Sequence, residues 1–150
     1  MIKIMFVCLG NICRSTMSEF VMKAMVKEAG LEDKIFVASS ATSYEAIGCD
    51  IHRGTKAVLD KNNIPYSSRA AVKLQKADFE KYDYFVGMEE RNIRDMIKIL
   101  GTNEKVYKLL EFAGDNGDIS DPWYTHNFDV TYEDVTKGCR AFLEHLKGKI

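Results

Sequence analysis

The run from Ile2 to Val7 is apolar and short, and the stretch after Ser15 repeats its apolar residues with helical spacing. Only residues 8–14 join the two. A buried strand that turns so tightly into a helix is the opening unit of an α/β sheet. On that helix Met17, Phe20, Val21, Ala24 and Met25 share one face, with Glu19, Lys23 and Lys27 off it. A strand-to-helix turn aims several backbone N–H groups at one point, and the helix N-terminus adds partial positive charge. The junction is an anion site, with Cys8 at its mouth.

Each residue of the loop fits that reading. A cysteine is a nucleophile only as thiolate, which a helix N-terminus and a neighbouring cation favour. Leu9, Gly10, Asn11, Ile12 and Cys13 separate Cys8 from Arg14, enough backbone to circle one tetrahedral oxyanion. Arg14 adds a planar fork matched to two of its oxygens. Gly10 and Asn11 are the residue types most tolerant of left-handed backbone. Ser15 serves either as helix N-cap or as a hydroxyl turned back toward the Cys8 sulfur. A buried structural cysteine is the alternative for Cys8 alone, but not for Cys8 in this company.

Cys8 to Ser15, CLGNICRS, resembles the signature loop of the low-molecular-weight protein tyrosine phosphatases, and Asp121-Pro122-Trp123-Tyr124 is similar to their DP-aromatic-aromatic segment. The likeness runs along essentially all of residues 1–150. It implies a phosphatase that forms a phosphocysteine on Cys8, binds phosphate with Arg14 and uses Asp121 as general acid and then base. Asp118 is the runner-up acid. The likeness further implies Ser39, rather than Ser40, as a support hydrogen-bonded to Asn11, and Cys13 as a redox partner closing a disulfide on Cys8. The loop after the second strand would form one side of the cleft, with Tyr44 as an aromatic wall and Glu45 biasing against acidic peptides. Trp123 and Tyr124 would wall the flat leaving group. Two departures stand out. Thr16 occupies a place where the family usually has proline, and Ser67 to Val72 lacks a histidine often carried there, Arg69 being the nearest polar replacement.

Along the rest of the chain, strand-like runs at Ile35–Ser39, Tyr82–Met88 and Val106–Leu110 alternate with helix-periodic stretches at Ser15–Ala29, Gly54–Asn62, Glu89–Leu100 and Asp129–Leu146. Residues 66–81 carry a short strand and a turn of helix on a solvated surface. Gly114–Asp121 reads as an acidic, Gly-rich loop. The alternation predicts one α/β domain over 1–150, with a central four-stranded parallel sheet and helices on both faces. With the phosphate-binding loop after strand 1, this is a flavodoxin-like arrangement whose site lies at the carboxyl ends of the strands.

Composition narrows the partners. A net charge of −1 gives no electrostatic case for nucleic acid or an anionic membrane. The N-terminal apolar run is too short for a signal peptide or a span, so the expected location is cytoplasmic. Cys8, Cys13, Cys49 and Cys139 form no CxxC pair, so neither a zinc site nor any metal or cofactor is expected. Cys49 and Cys139 are assigned to packing, and His52, His126 and His145 to the surface. The expected partners are phosphotyrosine-containing proteins, with inorganic phosphate or other oxyanions as inhibitors. Three rival readings use the same loop. Protein-arginine phosphatases carry threonine in place of Ile12, and arsenate reductases relay electrons through further late cysteines, whereas here Cys49 and Cys139 have no close cysteine partner and the DPWY acid is present. A non-catalytic phosphate-binding module gains nothing from a nucleophile and an acid together.

Overall fold

The computed structural model describes residues 1–150. Four parallel strands, β1 (Ile2–Cys8), β2 (Ile35–Ala41), β3 (Tyr84–Gly87) and β4 (Val106–Lys108), lie in the order β2-β1-β3-β4. Five helices accompany them: α1 (Arg14–Glu28), α2 (Arg53–Lys61), α3 (Glu90–Leu100), α4 (Pro122–Thr125) and α5 (Phe128–Lys147). Period-2 alternation along β1 divides the interior into two cores. Ile4 and Phe6 point to one side with Met17 and Val21 of α1 and Cys139 and Phe142 of α5. Met5 and Val7 point to the other, with Leu74, Phe85 and α3's Met96 and Leu100. The predicted parallel sheet, covered on both faces, is present.

Boundaries differ where tertiary contacts outweigh local pattern. β2 runs on to Ala41, because its last residues pair with Val7 and Cys8. β3 starts at Tyr84; Asp83 is drawn into a clasp in which Lys3 N donates to its carboxylate and its own N donates to the Lys3 carbonyl, both at 2.8 Å. β4 stops at Lys108, and Leu109–Ala113 forms a 3₁₀ turn that packs under α5. In 66–81 the strand is a single bridge, Lys73 to Ala41, followed by a 3₁₀ turn over Lys76–Glu80. The acidic loop ends in a helix the periodicity did not announce. Asp121 caps α4, accepting from Trp123 N at 3.0 Å, and Pro122 supplies the first helical residue.

The parallel register brings the C-terminal ends of β1, β2 and β3 to one edge of the molecule. Cys8 sits there opposite Ala41, and Gly87 opposite Val7. No helix is long and apolar enough to cross a membrane.

Candidate active site

Asn11 is the centre of the loop's construction. Its φ of 59° is left-handed, a conformation asparagine tolerates better than other side-chain-bearing residues. Gly10 does not share it, so the freedom expected of both residues is used by one. Asn11 is 1% exposed, and every polar atom of its side chain is engaged. Nδ2 donates to Ser15 Oγ at 2.8 Å and to Ser39 Oγ at 2.9 Å, while Oδ1 accepts from Arg69 Nη2 at 2.9 Å and Val72 N at 3.2 Å. Asn11 N in turn donates to Cys8 Sγ at 3.3 Å.

Ser15 therefore turns toward the nucleophile and not to the helix cap. The Cys8 thiol donates to its Oγ at 3.0 Å. Because the Asn11 amide already supplies that oxygen with a donor, the serine's own hydrogen is available to a thiolate once Cys8 loses its proton. Cys13 occupies the helix N-cap position without a side-chain cap. Thr16 ties the same turn in another way: its hydroxyl donates to the Cys13 carbonyl at 3.0 Å, a bond proline could not make.

Behind the loop lies a charged support that the helical pattern concealed. Glu19, expected off the apolar face, is 5% exposed and accepts from Ser39 Oγ at 2.6 Å and Lys23 Nζ at 2.6 Å. Arg69 joins this support, with Nη2 also reaching the Ser39 carbonyl at 3.3 Å and Nε 3.9 Å from Glu19. Ser39 is the supporting serine; Ser40 Oγ, also buried, has no partner.

Arg14 is 2% exposed and held by two segments far from it in sequence. Nη1 donates to Glu89 Oε2 and to the Ile119 carbonyl, each at 3.0 Å, and Nη2 faces Asp121 Oδ2 at 3.4 Å. Glu89 escaped the sequence reading, which took it for the first residue of a helix. Its place at the carboxyl end of β3, where α/β sites assemble, was the available signal.

The loop, Arg14 and Asp121 line one cavity of about 350 Å³, with Ile12 and Cys13 in the floor and Glu45, Ala46, Trp123 and Tyr124 around the mouth. Trp123 is 56% exposed and Tyr124 73%. Tyr44 is a correction. It lies outside this cavity under Lys73, whose Nζ is 4.9 Å from its ring centroid, and Glu45 and Ala46 form that side of the mouth. Asp118 also lies outside, accepting from Glu90 N at 3.1 Å and Lys108 Nζ at 3.0 Å, which leaves Asp121 as the carboxylate over the loop.

The remaining cysteines and His52 divide differently from expectation. Cys139 is buried, and burial pushes its thiol up. Cys49 is exposed, outside the core to which packing would assign it. Cys13 is buried in the floor; burial foremost, with the Cys8 and Asp121 charges, raises its thiol to about 12. His52 is no idle surface residue, since Nδ1 accepts from Gly54 N at 3.0 Å as the cap of α2. No group of three or more His, Cys, Asp or Glu side chains is placed to hold a metal ion.

Residues 3–150 match the family described as low molecular weight phosphotyrosine protein phosphatase. The low molecular weight protein-tyrosine-phosphatase PtpA of Staphylococcus aureus is 37% identical over 149 residues, 97% of this chain and 94% of the relative. Among solved structures, SP-PTP, a low molecular weight protein tyrosine phosphatase from Streptococcus pyogenes, is 38% identical with a TM-score of 0.88, covering 97% of this chain and 93% of that one. YfkJ from Bacillus subtilis is 31% identical with a TM-score of 0.95, over 99% and 96% of the two chains.

Proposed function

From the premise that this chain belongs to the low molecular weight phosphotyrosine protein phosphatase family, we propose that it hydrolyses phosphotyrosine in proteins by two in-line displacements at Cys8. The observation that carries the mechanism is the convergence of Cys8, Arg14 and Asp121 on one cavity. The Cys8 thiolate attacks phosphorus; the S–P bond forms as the bond to the tyrosine oxygen breaks. Loop N–H groups and the Arg14 fork stabilise the charge spread over the equatorial oxygens. Asp121 gives its proton to the departing phenolate oxygen. The same carboxylate then takes a proton from water, which attacks phosphorus and releases inorganic phosphate and the Cys8 thiolate. Trp123 and Tyr124 at the mouth give an aromatic leaving group two flat neighbours. The positive field comes from protein groups throughout, so the reaction as written uses no metal.

Phosphate release from a phosphotyrosine peptide, without added metal, tests this directly. The unmodified protein should turn it over, Cys8→Ser should be inactive, and Asp121→Ala should lose about 10²–10⁴-fold in kcat. Phosphoarginine and arsenate run in parallel separate the rivals, for turnover of either with none of phosphotyrosine replaces this reading. Tight phosphate binding with no turnover of any of the three would make the loop a sensor.

A further inference from the structure

The start of α2 touches both halves of the cleft. His52 N donates to the Ile12 carbonyl of the phosphate loop at 2.9 Å, and Thr55 Oγ1 reaches the Cys13 carbonyl at 3.4 Å. The His52 ring faces the other way. It stacks on Phe128 with centroids 5.2 Å apart and meets Trp123 edge-on at 5.7 Å and 81°. Phe128 lies so close over Gly54 that a Cβ there would stand 2.4 Å from its ring. Phe128 opens α5 and Trp123 follows the acid by two residues. One imidazole thus joins the α2 cap, the wall of the cleft and the helix beyond it.

We propose that neutral His52 is a positioning residue, whose ring sets the Trp123 wall for a flat leaving group while its Nδ1 caps α2 beside the phosphate loop. What the wall receives rests on the phosphatase reading above; the contact itself does not. Protonation would turn Nδ1 from acceptor to donor against the Gly54 N–H, and the cap would be lost. Burial, and then the neighbouring Arg53 charge, oppose protonation and hold the imidazole below its ordinary value. The titratable groups nearest in sequence to its contacts are Lys56 on α2, Cys13 on the loop, Asp121, Tyr124 and His126 at α4, and Asp129 on α5. Both carboxylates are already engaged, Asp121 by Arg14 and Asp129 by Lys61, and Lys56 is paired with Asp50. The wall is therefore held above the His52 titration and released as pH falls through it.

Trp123 is the only tryptophan in the chain, so its emission reports this contact. In the unmodified protein the emission should titrate in a single step below the ordinary histidine range. His52→Asn should abolish the step and His126→Asn retain it. An aromatic contact of this kind corresponds to about a three- to tenfold change in affinity. His52→Asn, which keeps a cap acceptor but lacks the ring, should raise KM for a phosphotyrosine peptide by that factor, with kcat within about twofold. Inhibition by inorganic phosphate, a ligand of the loop alone, should not move. His52→Phe should leave KM raised and lower the melting temperature, because the ring returns without the cap that orients it. Survival of the emission step in His52→Asn, or an unchanged KM, overturns the proposal. Should the unmodified protein hydrolyse no phosphotyrosine, the phosphatase reading falls, while the emission titration still decides the His52 contact.

Discussion

Asp121 has two duties that a single substitution can separate. Its Oδ1 caps α4 while Oδ2 faces Arg14. Asp121→Asn keeps the capping oxygen and removes the proton donor, so α4 stays folded while the chemistry suffers. The loss in kcat should be about 10²–10⁴-fold for phosphotyrosine. In kcat/KM, which reports transfer to Cys8 before Asp121 acts as base, the loss should shrink toward nothing for a dinitrophenyl phosphate, whose leaving group departs unprotonated; comparing kcat/KM on the two substrates measures this. Cys13 supports a second prediction. The Cys8–Cys13 disulfide implied by the family likeness requires the Cys13 thiol, raised to about 12 chiefly by burial, to lose its proton before attacking an oxidised Cys8 sulfur. Closure should then quicken about tenfold per pH unit through the neutral range, following the thiolate fraction. The share of enzyme rescued by a reductant after a peroxide pulse should rise with pH in the unmodified protein and fall to background in Cys13→Ser.

Among the elements, α5 is held to the rest of the fold at a point with no spare room. A Cβ on Gly138 would lie 2.5 Å from Leu109 Cγ, inside the core, so Gly138→Ala should destabilise by about 1–3 kcal/mol through overpacking despite its better helix propensity. Urea midpoints compared at constant slope would measure it. Helix α2 adds a pH dependence of known sign. The folded-state value of His52 is depressed, so the unfolded chain takes up the proton first. The cap's contribution is present above pH 6.5 and declines as pH falls from there through the folded-state value; melting temperatures between pH 7.5 and 5 should show this slope diminished in His52→Asn. The elements themselves could be read from the sequence, because runs such as Ile2–Val7 and the face of Asp129–Leu146 carry their periodicity within one local stretch. The loop's nucleophile and arginine could be read for the same reason. Their supports could not. Glu89 and Arg14 are 75 residues apart and Arg69 and Asn11 are 58, and a charged residue looks solvent-facing until its distant partner is known. Glu19 was placed on the outer face by that logic, and Tyr44 was given a wall position that Glu45 and Ala46 hold.

At the scale of the molecule, the site is where the chain closes on itself. Arg14 begins α1, Glu89 follows β3, and Ile119 and Asp121 come from the loop before α4, so one buried guanidinium fastens three parts of the fold. An oxyanion bound in the loop should stabilise the whole domain by mass action. At a concentration 100 times its Kd the gain is about 2.7 kcal/mol, or roughly 5–11 °C in melting temperature for a domain of this length. A thermal melt with inorganic phosphate or vanadate checks this, and Arg14→Ala should abolish the shift. The 3.4 Å approach of Asp121 to Arg14 then acquires another meaning. On the proposed mechanism the arginine receives its phosphoryl group by exchange, not capture: an entering anion has to outbid a tethered carboxylate for the same nitrogen. Monovalent anions such as chloride or nitrate, with neither the charge nor the tetrahedral reach to win that trade, should then inhibit weakly without any gate. An oxyanion that wins would free the acid in the same stroke, making admission to the loop and readiness to protonate the leaving group one event.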